Sequence, residues 1–78
     1  MMARKPADTS TWEGRFGANL LRLMTRKHVT AQEMATALGV TDGAVYLWQS
    51  GKRLPTLATL PKIAEVLSLS SAKSLIPD

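Results

Sequence analysis

The side chains able to do chemistry cluster in the middle of the chain. Thr30, Gln32, Thr41, Asp42 and Tyr46 lie close together in sequence, and Lys52-Arg53 follow them directly after Gly51. No nucleophile–base pair, paired carboxylates or phosphate-cradling glycine loop can be assembled from these residues, so catalysis is not expected. The chain has no cysteine and a single histidine, His28. That excludes disulfides, thiolate metal sites and a zinc site. No metal, cofactor or small-molecule ligand is expected. What this set can do is hold a polyanion. Cations neutralise phosphates, and hydroxyls and amides at helix N-termini donate to them. The formal net charge of +4 and the pI near 10.0 point the same way.

These residues need helices to hold them. Seventy-eight residues make one small domain with a modest core. Residues 1–10 contain Pro6, Arg4 and Lys5 and show no periodicity, so they read as a flexible N-terminal arm. The remainder, 11–78, reads as one domain. Trp12, Phe16, Leu20, Leu23 and Met24 recur at spacings of three and four, which predicts an amphipathic helix over 12–26 capped by Ser10 or Thr11. Gly14 and Gly17 weaken it, and Gly17 lets a second helix approach closely. Thr30 and Glu33 form a capping-box pattern ahead of a helix over 31–38 that buries Met34, Ala35 and Leu38. Gly39 stops that helix with positive φ, and Val40 is the apolar residue of the turn. Thr41 caps a helix over 42–50 with Val45 and Trp48 inward, and Gly51 ends it.

Pro61 is tolerated only in a first turn, so Thr59 is expected to cap a helix over 60–67 with Leu60, Ile63, Ala64 and Leu67 inward. Ser70 is expected to cap a last helix over 71–76, ending before Pro77. No strand pattern, internal repeat or low-complexity segment occurs. The fold class is all-α with five short helices.

With those landmarks placed, the chain resembles the Cro/C1-type (XRE-like) helix-turn-helix family of phage and bacterial repressors. The matching residues are Phe16-Gly17, Leu20, Thr30, Glu33, Met34-Ala35, Leu38-Gly39-Val40, Val45, Gly51-Lys52-Arg53 with Pro55, Leu60, Ile63-Ala64 and Leu67. The resemblance implies a lambda-repressor-like fold and sequence-specific binding of double-stranded DNA, usually as a homodimer on a pseudo-palindromic operator. The sequence departs from the family pattern in three places. Ala31 stands where the family places glutamine, with Gln32 one residue later. Met24 and Gln49 stand where an arginine–glutamate pair is common; both charges are absent together, which leaves no stranded buried ion. Asp42 opens the recognition helix, where a carboxylate suits the helix N-terminus but repels phosphate unless it accepts from cytosine N4.

By this resemblance the base-reading candidates are Gln32, Asp42, Gly43, Ala44, Tyr46 and Leu47. Gly43 permits close backbone approach, and Ala44 and Leu47 can touch a thymine methyl. Tyr46 can reach a base or phosphate. The alternative is that Tyr46 and Leu47 pack on a neighbouring loop or subunit. The phosphate candidates are Thr30, Thr41, Lys52 and Arg53. No Arg, Asn or Gln lies early on this helix, so specificity leans on Gln32, DNA shape and water. Arg22, Arg26 and Lys27 read as a solvated row on the first helix, and Trp12 and Trp48 as core.

The expected protein is a Cro-like or repressor-like regulator that blocks a promoter as a homodimer, pairing through residues 69–77, where Leu75 and Ile76 lie. The rival reading is the same fold used as a protein-interaction or antitoxin-like module. No apolar run approaches the roughly 20 residues that span a bilayer, and no apolar stretch follows Arg4-Lys5 as in a signal peptide. A cytoplasmic, nucleoid-associated location is therefore expected.

Overall fold

The computed structural model describes residues 8–77. Four α-helices follow one another: α1 (Trp12–Arg26), α2 (Ala31–Leu38), α3 (Asp42–Ser50) and α4 (Leu60–Val66). No strand occurs among the described residues. The expected fifth α-helix is instead a single 3-10 turn, η1 (Ala72–Leu75). Ser71, not Ser70, caps it, accepting from the Lys73 N–H at 3.1 Å. The bonds there run i→i+3, Ser74 N to Ser71 O at 3.2 Å and Ile76 N to Lys73 O at 3.1 Å, the tighter helix found in short pieces.

Local capping sets the other boundaries. Thr11 Oγ1 accepts from Gly14 N at 3.0 Å and starts α1. Of the expected arm, residues 1–7 lie outside the described residues. Residues 8–10 form a turn in which Asp8 Oδ1 accepts from Ser10 N and Oγ. At the far end of α1, His28 adopts φ 59° and Val29 N donates back to Met24 O at 2.9 Å. The capping box of α2 is complete: Glu33 N donates to Thr30 Oγ1 at 3.1 Å, and Thr30 N donates to Glu33 Oε1 at 2.8 Å. Gly39 closes α2 at φ 72°. Thr59 does not cap α4 with its side chain; its hydroxyl pairs with that of Thr56 at 2.8 Å. Pro61 still lies in the first turn, and Leu67 ends the helix.

The core joins Phe16, Leu20 and Met24 of α1 to Met34 and Ala35 of α2, Val45 and Trp48 of α3, and Ile63 and Ala64 of α4. Leu67 and Leu75 complete it. Each fully buried large apolar side chain contributes roughly 1.5–3 kcal/mol. Trp12 departs from the expected core. It overhangs the start of α1 at 38% exposure and stacks on Phe16, with ring centroids 6.0 Å apart. Leu75 departs in the opposite sense: placed by expectation at a pairing surface, it is fully buried in the chain's own core.

Two contacts lock α1 to the rest. At Gly17 a Cβ would lie 2.5 Å from both Trp48 O and Gln49 O, so only glycine lets α1 approach α3 this closely. Two residues further along α1, Asn19 Nδ2 donates to Ser74 O at 3.1 Å and Leu75 O at 3.0 Å.

Candidate nucleic-acid interface

Helix α3 is held from behind and open in front. Val45, Trp48 and Gln49 are buried against α1 and α2, whereas Asp42, Gly43 and Tyr46 are exposed. Two residues fix the rotation of the helix. Gly17 admits the α3 backbone, and Gln49 Nε2 donates to Met24 Sδ at 3.3 Å in a buried neutral pair joining α3 to α1. The expected replacement of an ion pair by Met24 and Gln49 is therefore a real contact. It avoids the desolvation of two charges.

The N-cap of α2, Thr30, shares a cleft with Tyr46 of α3. Thr30 and Thr41 are exposed N-caps. Each Oγ accepts from its own helix, Thr41 Oγ1 from Ala44 N at 3.1 Å, and each hydroxyl keeps a proton that it can donate outward. Backbone N–H groups in the first turn of each helix add further donors and a positive dipole end. Gln32 is exposed one residue into α2.

Beyond α3, Gly51 takes φ 77°, and a Cβ there would lie 2.7 Å from Gly14 Cα. Glycine is thus required both for the left-handed turn and for the contact. Lys52 N and Arg53 N both donate back to Leu47 O, at 3.0 and 3.3 Å. The loop is folded onto the end of α3 while both residues remain exposed.

The other candidates divide. Ala44 and Leu47 are half-buried rather than fully presented. Tyr46 is 40% exposed and also lines a cleft of about 290 Å³ with Leu21, Thr25, Val29, Thr30 and Ala31. The short Ala31 side chain, where the family carries glutamine, forms part of that cleft. Tyr46 on the α3 edge therefore shares a cleft with the α2 N-terminus, a proximity that linear spacing does not reveal. Sequence reading also passed over the loop after Arg53, where Leu54 is exposed and Leu57 reaches 84% exposure.

The comparisons with known proteins agree with this geometry. The family described as Helix-turn-helix matches residues 20–73, more than half of the chain. This chain belongs to the XRE-like helix-turn-helix family. It is 36% identical over 56 residues to the SPbeta prophage-derived uncharacterized HTH-type transcriptional regulator YonR of Bacillus subtilis (strain 168). That match covers 72% of this chain and 52% of YonR. The uncharacterized HTH-type transcriptional regulator YqaE of the same organism is 36% identical, with 70% of this chain and 47% of YqaE covered. The chain thus spans about half the length of these relatives. Crystal structures of Fe(II) HppE and apo-HppE superpose with TM-scores of 0.75 and 0.73 at 30% identity. The matches cover 86% of this chain but only 35% and 37% of those chains. Among the described residues, no group of three or more His, Cys, Asp or Glu side chains could hold a metal ion. No helix among them is long and apolar enough to cross a membrane.

Proposed function

We propose that this chain is a sequence-specific DNA-binding transcriptional regulator whose α3 enters the major groove. The observation that carries this reading is the two-sidedness of α3. Its rear stripe is locked to α1, while Asp42, Gly43 and Tyr46 face solvent beside two capped helix N-termini and the Lys52-Arg53 loop. A helix so held can present donors and acceptors to base edges, while Thr30, Thr41, Lys52 and Arg53 set its depth on the phosphates. The named relatives, both HTH-type transcriptional regulators, support the same reading.

The mechanism is occupancy without catalysis: a bound regulator covers an operator that overlaps a promoter. One module makes a small DNA interface, so two copies on a pseudo-palindrome supply the rest. With Leu75 committed to the core, Ile76 is the exposed large apolar residue left in the C-terminal segment for pairing. The reading places the protein in the cytoplasm with the nucleoid. The test is selection of bound fragments from the source genome, followed by a mobility shift at rising salt. A shared, two-fold sequence and steep salt dependence are expected; uniform binding to all fragments would remove the sequence-specific claim.

One observation favours a second reading, in which the fold binds another protein. Leu57 is an apolar side chain at 84% exposure, and Asp42 puts a carboxylate on the exposed face of α3. Retention of a co-purifying protein with no DNA binding at low salt would select this reading.

A further inference from the structure

The back of α1 carries a second group of charges. At 3.6 residues per turn, Arg15, Arg22 and Arg26 share one stripe, opposite Gly17, Leu20 and Met24. This stripe runs beside η1. Arg15, Asn19, Arg22, Lys73 and Ser74 line an open cleft of about 660 Å³ between them. A second cleft of about 570 Å³ adjoins it through Arg22 and Ser74 and adds Arg26 and Lys27. Among the described residues, no acidic side chain lines either one.

This is more than a solvated row of charges. Asn19 organises it from both sides: its amide nitrogen ties down the carbonyls of Ser74 and Leu75, and its amide oxygen accepts from Arg22 Nη2. The same side chain therefore fixes the cleft wall and aims one guanidinium. Arg15 Nε is buried and has no hydrogen-bond partner among the described residues. A buried donor without an acceptor is uncommon in a folded chain. Five cations facing two joined clefts repel one another, and a multivalent anion relieves more of that repulsion than a single carboxylate.

We infer that the α1–η1 cleft is a binding site for phosphate-class oxyanions, separate from the α3 edge. Arg15, Arg22 and Lys73 supply the charge, with Asn19 as the positioning residue. The phosphates come either from a free polyphosphate or from the backbone of a nucleic-acid duplex lying against the back of the domain.

The test is an amide NMR titration of the full chain at low salt with inorganic tripolyphosphate. Saturable shifts are expected at Asn19, Arg22 and Ser74. R22Q with K73Q should weaken the apparent affinity at least about tenfold, since two charge-assisted contacts are lost. K73Q alone changes an exposed residue and gives the same direction should the double variant fold poorly. A second arm titrates a short duplex of arbitrary sequence into the K52A/R53A variant. Shifts at the same amides identify backbone phosphate as the source, and shifts with tripolyphosphate alone identify a free polyphosphate. No saturable shift with either probe overturns the site, as does an affinity unchanged in R22Q/K73Q. Absence of duplex-induced shifts at α3 in the unsubstituted chain, with the α1–η1 shifts intact, would count against the operator reading and leave this site standing.

Discussion

The two sides of α3 are built on opposite principles. The rear is specified by shape: a glycine that admits a backbone, and a thioether and an amide that satisfy each other out of water. The front is specified by accessibility: capped helix ends, an open carboxylate and a basic loop whose backbone folds back while its side chains stay exposed. The rear tolerates little change because interiors are close-packed. The front tolerates change in stability and records it in binding instead. A variant's effect should therefore fall on folding or on recognition according to the side it touches.

The largest expected effect is at the rear. Met24→Arg alone should destabilise the fold by about 3–5 kcal/mol, because it buries a cation without a partner. Adding Gln49→Glu should recover part of that loss. Urea melts of both singles and the double give the coupling, and a double no better than the summed singles would break the assigned pairing. Next comes Gly17→Ala. Helix propensity alone favours alanine by about 1 kcal/mol, yet its Cβ would meet two backbone carbonyls at 2.5 Å. A net loss of about 1–2 kcal/mol is expected, as in other overpacked sites. A melting temperature at or above wild type would show that α1 and α3 can separate freely.

At the front, Lys52→Ala with Arg53→Ala should leave the melt unchanged. The salt slope of DNA binding should flatten by up to about two units on every sequence. The smallest effect is at Asp42. Asp42→Ala should tighten binding slightly on all sequences by removing a charge that repels phosphate. Relaxed preference at a single base pair, with a loss of about 1–3 kcal/mol on the cognate site, would instead make Asp42 a reader of cytosine. No change from Asp42→Ala or Tyr46→Ala, in a protein that still binds DNA, would mean that α3 is not the reading helix.

Most of the frame was legible from the chain because its signals are local. The Thr30–Glu33 box, the Thr41 cap and the turns at Gly39 and Gly51 each depend on residues a few positions apart, and each is present. The Met24–Gln49 contact was legible through family resemblance, since nothing local marks it. The misses share a cause: periodicity assigns a face without showing whether anything covers it. Trp12 has the right phase for burial, but the helix begins beyond the core there. Leu75 looked available because the partner that buries it lies far away in sequence. Thr59 had the right residue type, but a neighbouring hydroxyl captured its side chain. At the candidate interface, residue types were readable, but the shared cleft of Tyr46, Thr30 and Ala31 was not.

The Asn19 clamp also orders events in time. Its two hydrogen bonds span 55 and 56 positions, whereas the α2–α3 turn closes over a handful. Distant closures cost more chain entropy and tend to slow folding. The α2–α3 pair should therefore condense early, leaving one flank of α1 uncovered until the Ser74-Leu75 segment docks. A nascent chain on the ribosome would thus hold a formed α3 before it has a sealed interior. Its last step would be the arrival of one leucine and two carbonyls.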